Sequence, residues 1–162
     1  MAKMQEPEMT REQILAAPVG GKTVAEWDTD WVHIKNGFRE TQKELTGLLG
    51  LYRAILDDQT KYIGESVQIN EGLKKRLRDY SRKSDSSRDH YGAERIFENR
   101  DKVECEILVI GVDDDAVGAT QELKALMIAL YEPQWNVNEE GIATQRRASY
   151  RAQSQVQKIK RD

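Results

Sequence analysis

Apolar positions near the start of the chain recur at helical intervals. Thr10 precedes Ile14 and Leu15, and Thr10-Arg11-Glu12-Gln13 has the residue types of a capping box, a hydroxyl followed three residues later by an amide side chain. A helix is therefore predicted from Thr10, ended by Pro18 and Gly20-Gly21. Thr23 opens a second predicted helix or helix pair. There Trp27, Trp31, Ile34 and Phe38 are spaced by four, three and four residues, which places them on one helical face as packing residues. The polar stretch from Met1 to Thr10 reads as a loose arm.

The period changes after Gly47. Leu48 to Leu56 and Thr60 to Gly64 read as two strands, joined by the turn residues Asp57-Asp58-Gln59 into a hairpin. Asn70 is the residue type that caps a helix, here one running through Leu73, Leu77 and Tyr80. Ser81 to Asp89 is polar and reads as a loop, and Ala93 to Asn99 as a short helix. Val103, Cys105, Ile107 and Val109 are apolar with period two, a strand. Asp113-Asp114-Asp115 is a turn or a helix start. Leu123, Leu126, Met127, Leu130 and Tyr131 mark a helix that ends before Pro133. From Gly141 onward the chain is polar and basic, a frayed helix or tail. The predicted class is α+β, with a small three-stranded antiparallel sheet flanked by helices. Residues 1–46 form an N-terminal helical extension, 47–140 the central domain and 141–162 the basic tail.

Composition narrows the field. The 162 residues suit one domain with short extensions, and 38% hydrophobic content is enough for a core. A single cysteine, Cys105, excludes an internal disulfide framework and a Cys-rich zinc site, and suits a small strand residue in the core. Met1 to Gln13 has no apolar stretch of the secretory kind, and no apolar run approaches a membrane span, so a cytoplasmic setting is expected. The net charge of −3 argues against a polyanionic partner, but its distribution does not. Seven basic residues lie between Lys74 and Arg88 against two acids, and six lie between Ile142 and Asp162 against one. Asp101 to Gly141 carries ten acids and two lysines. Such local positive fields attract polyanions whatever the total charge, although a solvated helix face gives the same pattern.

Gly50-Leu51-Tyr52 is followed ten residues later by Tyr62-Ile63-Gly64. Arg76 and Tyr80 stand four apart on the next helix, and the last helix ends in Pro133-Gln134-Trp135-Asn136. In this order the motifs resemble the GIY-YIG nuclease superfamily, from about Leu48 to Asn138. Each motif alone is a short string; the ordered set is what carries the resemblance. It implies a GIY-YIG-type sheet and a metal-dependent DNA endonuclease, of a small stand-alone, restriction-like or phage type. Tyr52 would be general base or proton relay, Tyr62 would order that network, and Arg76 would hold the phosphate in its guanidinium fork. Tyr80 would assist proton transfer, with His90 from the following loop as a further participant. Glu122 would bind one Mg²⁺ or Mn²⁺ through a hard carboxylate oxygen. Asn136 would fix the end of the last helix. Lys74, Lys75, Arg78, Arg82 and Lys83 would contact DNA.

Two features depart from that pattern. Eleven residues separate Gly64 from Arg76, which suggests an extra turn over Val67 to Gly72. Counting back from Pro133 without gaps puts Lys124 at the carboxylate position, whereas an inserted turn restores Glu122. The two differ by about 200° around a helix. Other signals carry less. Gly21-Lys22-Thr23 lacks the first glycine of a phosphate loop, since residue 16 is Ala16, and no strand precedes it. Asp113-Asp114-Asp115 lacks the ligand spacing of a calcium loop. The leading expectation is a DNA endonuclease, with a homodimer as the arrangement that would let a one-site domain cut both strands. Its rival is a protein of the same fold that binds DNA or protein without cutting.

Overall fold

The computed structural model describes residues 9–81 and 91–136. The architecture is α+β with antiparallel sheets. Helix α1 (Arg11–Ala16) starts at Thr10 with both halves of the predicted capping box present. Strands β1 (Pro18–Val19) and β2 (Lys22–Thr23) form a minimal two-stranded sheet about Gly20-Gly21. Both glycines have positive φ, as so tight a turn requires.

The predicted long helix from Thr23 to Phe38 does not form. Helix α2 covers only Val24–Trp27, capped reciprocally by Thr23 and Glu26. Asp28 then accepts from the Trp31 indole at 2.9 Å, and the chain turns into strand β3 (Val32–Ile34). Two effects override the helical spacing. The β-branched Val32 and Ile34 pair across to Ile107 and Cys105. Asn36, at φ 56°, bends the chain where a helix would continue. The principal sheet consequently has four strands rather than three, in the order β3, β6 (Glu104–Gly111), β4 (Leu49–Leu56), β5 (Gln59–Ser66).

Strands β4 (Leu49–Leu56) and β5 (Gln59–Ser66) form the predicted hairpin. Its two-residue loop is Asp57-Asp58, both at positive φ, the primed turn that matches strand twist. Helix α3 (Gly72–Ser81) begins at Gly72 rather than at an Asn70 cap. Gly72 has φ 58°, and a Cβ there would lie 2.4 Å from the Leu48 carbonyl oxygen, so only glycine fits this entry. Helix α4 (Tyr91–Glu98), strand β6 (Glu104–Gly111) and helix α5 (Asp115–Tyr131) follow. Helix α5 runs unbroken to Glu132, a left-handed cap at φ 47° whose amide donates to the Ile128 carbonyl. A 3₁₀ turn, Gln134–Asn136, closes the described chain.

Alternation along β4 and β5 divides the core in two. Leu51 and Ile63 join Leu108, Leu123, Leu126 and Met127 of β6 and α5. The same cluster takes in Ile14, Val19, Val24 and Trp27. Tyr52, Ala54 and Tyr62 point the other way, into Phe38, Leu73, Leu77, Tyr80, Ala93 and Ile96. Arg53, on the α5 side, bonds Glu106 at 2.8 Å through Nε and lies over the Trp31 ring at 4.2 Å. Tyr131 donates to Asp28 at 2.7 Å, so this polar group ties the N-terminal segment to the end of α5. Among the described residues, no helix is long and apolar enough to cross a membrane.

Candidate functional site

The two motif glycines are needed for steric reasons. A Cβ on Gly50 would stand 2.0 Å from the Leu108 carbonyl oxygen, because β4 and β6 approach closely at a register shift. A Cβ on Gly64 would stand 2.2 Å from Tyr52 Cζ and 2.3 Å from its hydroxyl oxygen. Tyr52 pairs directly with Gly64 across the hairpin, so its ring lies over the bare backbone of β5. Tyr62 is served by Gly92 in the same way: a Cβ there would come within 2.3 Å of the Tyr62 ring, so α4 can close against it.

Three phenols meet in the space these glycines leave. The Tyr52 and Tyr80 hydroxyl oxygens are 2.5 Å apart. The Tyr52 ring lies 6.1 Å from that of Tyr62 and 5.6 Å from that of Tyr80. Phe38 closes the group edge-on, 5.5 Å from Tyr80. Burial raises the pKa of Tyr52 and Tyr62 well above the ordinary phenol value, and that of Tyr80 above it, each reinforced by neighbouring acidic groups. Arg76 acts in the opposite sense on all three. It lies on α3, one turn before Tyr80, at the exposed margin of the helix's buried stripe. Partial burial disfavours its charge, but the three phenols outweigh that and raise its pKa. At neutral pH the site therefore offers three protonated hydroxyls and one fixed cation.

Asn136 fixes the outer edge of this site. Its carboxamide donates to the Ile63 carbonyl and accepts from the Ile63 amide, both at 2.9 Å. Strand β5 is the edge of the sheet, so these bonds cover backbone that no strand pairs. Glu65, two residues on, has the same outward backbone parity. Its side chain lies on the α5 face and meets Lys124 at 3.6 Å. One carboxylate oxygen of Glu65 is buried without a hydrogen-bond partner. Sequence reasoning missed Glu65. The available signal was a charged residue directly after Gly64, at a strand position whose neighbours are buried.

The predicted residues are thus partly assembled. Tyr52, Tyr62, Tyr80 and Arg76 converge, and Asn136 supports the strand beneath them. Arg82, Lys83, His90 and the basic tail lie outside the described residues. Lys74 and Arg78 flank the buried stripe of α3 on the side away from Arg76, and Lys75, partly buried, lies on the helix face opposite that stripe, since each residue advances about 100°. The Arg78 Nε is buried without a hydrogen-bond partner. Glu122 and Lys124 lie on either side of the fully buried Leu123. Lys124 is on the β5 flank, as its contact with Glu65 shows, so Glu122 is on the far one. No inserted turn in α5 brings Glu122 round. A divalent ion such as Mg²⁺ takes hard oxygen donors. Among the described residues no group of three or more His, Cys, Asp or Glu comes together, and the carboxylate beside Gly64 is matched by an ammonium. Comparison with family models, with curated proteins and with solved structures finds no match.

Proposed function

We propose that the chain acts on DNA as a GIY-YIG-type nuclease, engaging a backbone phosphodiester at the Tyr52–Tyr62–Tyr80–Arg76 cluster. The observation that carries this reading is the convergence of three phenols, with Arg76 one helical turn before Tyr80, in the space that Gly64 leaves for the Tyr52 ring. Arg76 presents paired N–H donors to the non-bridging phosphate oxygens. The Tyr52–Tyr80 hydroxyl pair is a short path for the proton leaving an attacking water as its oxygen bonds to phosphorus. The P–O bond to the departing sugar oxygen then breaks, and that oxygen takes up a proton. Glu122, the carboxylate that the resemblance assigns to a magnesium ion, stands on the flank of α5 away from the Lys124–Glu65 contact.

A second reading, binding without cleavage, draws support from the Lys124–Glu65 pair and from phenols held firmly neutral. One experiment separates the two. Supercoiled plasmid is incubated with the protein in Mg²⁺, in Mn²⁺ and in EDTA, beside Tyr52→Phe and Arg76→Ala. Nicked or linear product that disappears in both variants sustains the nuclease. Intact plasmid together with an Arg76-dependent mobility shift selects the binding module.

A further inference from the structure

Strand β5 brings two cations to one edge from opposite faces of the sheet. On one face Tyr52 lies across Gly64 and bonds Tyr80, one helical turn beyond Arg76. On the other, Lys124 reaches the next residue, Glu65, from α5. Lys124 and Glu65 are both partly buried, with 29% and 26% of their side chains exposed, so the ammonium is held beside the strand but is still reachable from solvent. Glu65 presents only one oxygen to it, and the other is buried and unpartnered. The pair is therefore incompletely matched, which leaves ammonium protons for a further acceptor. The carboxylate that would otherwise invite a divalent ion, Glu122, is on the far flank of the helix.

Building on the proposed phosphodiester site, we infer that the Lys124 ammonium supplies the second positive charge at that site, so that DNA is bound without a divalent metal. The phosphate would lie at the outer edge of β5, between the Arg76 fork and Lys124, with Glu65 holding the lysine at the strand edge. An ammonium is a compact point charge with three donors and suits this use.

The test is the fluorescence anisotropy of a short fluorescein-labelled DNA duplex, read in EDTA and in Mg²⁺ at fixed ionic strength. The full chain should bind equally in both. Lys124→Gln combined with Glu65→Gln removes both charges without leaving a buried carboxylate unpaired, and a thermal melt checks its fold. Binding should weaken about tenfold, the range of one charge-assisted hydrogen bond. The dependence of log affinity on log salt should become shallower by about one. Lys124→Glu should bind only when Mg²⁺ is supplied. If the wild type requires Mg²⁺, or the double variant binds like wild type while Arg76→Ala is impaired, the inference is overturned and the phosphodiester site stands. If the wild type binds no DNA in either condition, the proposed function falls, and the inference with it.

Discussion

The two faces of strand β4 solve different problems with neighbouring residues. Leu51 points toward α5 into a cluster of aliphatic side chains, where Leu108, Leu123, Leu126 and Met127 are fully buried. Tyr52 points the other way and is just as deeply buried, yet it carries a hydroxyl that must find a partner. It finds Tyr80 at 2.5 Å. The aliphatic face needs only volume and closeness. The phenol face needs in addition that several hydroxyls meet and that an arginine stay close. Packing of the aliphatic cluster and the proposed contact with DNA thus draw on different residues, and substitutions should affect them separately.

The aliphatic face should show the largest loss of stability. Leu126→Ala is expected to lower unfolding free energy by about 2–5 kcal/mol, the range for a buried Leu that leaves a cavity. At a temperature where the variant stays folded, its DNA binding should be unchanged. Urea denaturation and anisotropy, run together, check both halves. Gly64→Ala strikes the other face. The added methyl would lie within 2.3 Å of the Tyr52 hydroxyl, so the ring must move. Overpacking of this kind costs about 1–3 kcal/mol. Here, unlike at Leu126, DNA affinity should fall even in the fraction that remains folded. Equal functional loss in both variants would dissolve the division between the faces.

The aliphatic face was far more legible in the sequence than the phenol face. Periodicity alone placed β4, β5, β6 and α5, and the Asp57-Asp58 turn announced the hairpin. It failed at Trp31 to Phe38, where helical spacing was real but pairing of Val32 and Ile34 with β6 prevailed. Spacing registers which positions are apolar, not which neighbour will cover them. On the phenol face, Tyr52, Tyr62, Arg76 and Tyr80 were found by resemblance, because residues 28 apart in sequence share no local pattern. The Lys124–Glu65 contact escaped for the same reason: the partners are 59 positions apart, and neither has a distinctive local context.

Tyr80→Phe sharpens the comparison more gently. It removes one hydroxyl, leaves Tyr52 without its partner, and should cost about 1–3 kcal/mol. The pH profile is more telling. Folding raises all three phenol pKa values above their unfolded value of about 10, so the stabilising difference is fully present below pH ~10. As pH rises beyond that point the unfolded chain loses protons that the native state keeps, and stability drops. Each retained phenol contributes about 1.4 kcal/mol per pH unit to that fall. Melting temperature followed from pH 8 to 11 should therefore bend downward above ~10, and less steeply in Tyr80→Phe. An identical slope in both proteins would mean that the Tyr80 phenol is not held neutral by the fold.

Arg76→Ala should have the smallest effect on stability and a large one on function. The residue stands at the exposed edge of α3, and alanine is the better helix former, so the change in unfolding free energy should stay within about 0.5 kcal/mol. The three phenols then lose the one cation among the described residues that acts on all of them, and a bound phosphate loses its paired donors. DNA affinity should fall about tenfold or more, while Lys75→Ala, one residue away on the outward side of the helix, should weaken binding only slightly. Matched losses in the two variants would mean that α3 acts as a general basic surface. A loss confined to Arg76 ties DNA binding to the buried phenols and to the glycine that makes room for them.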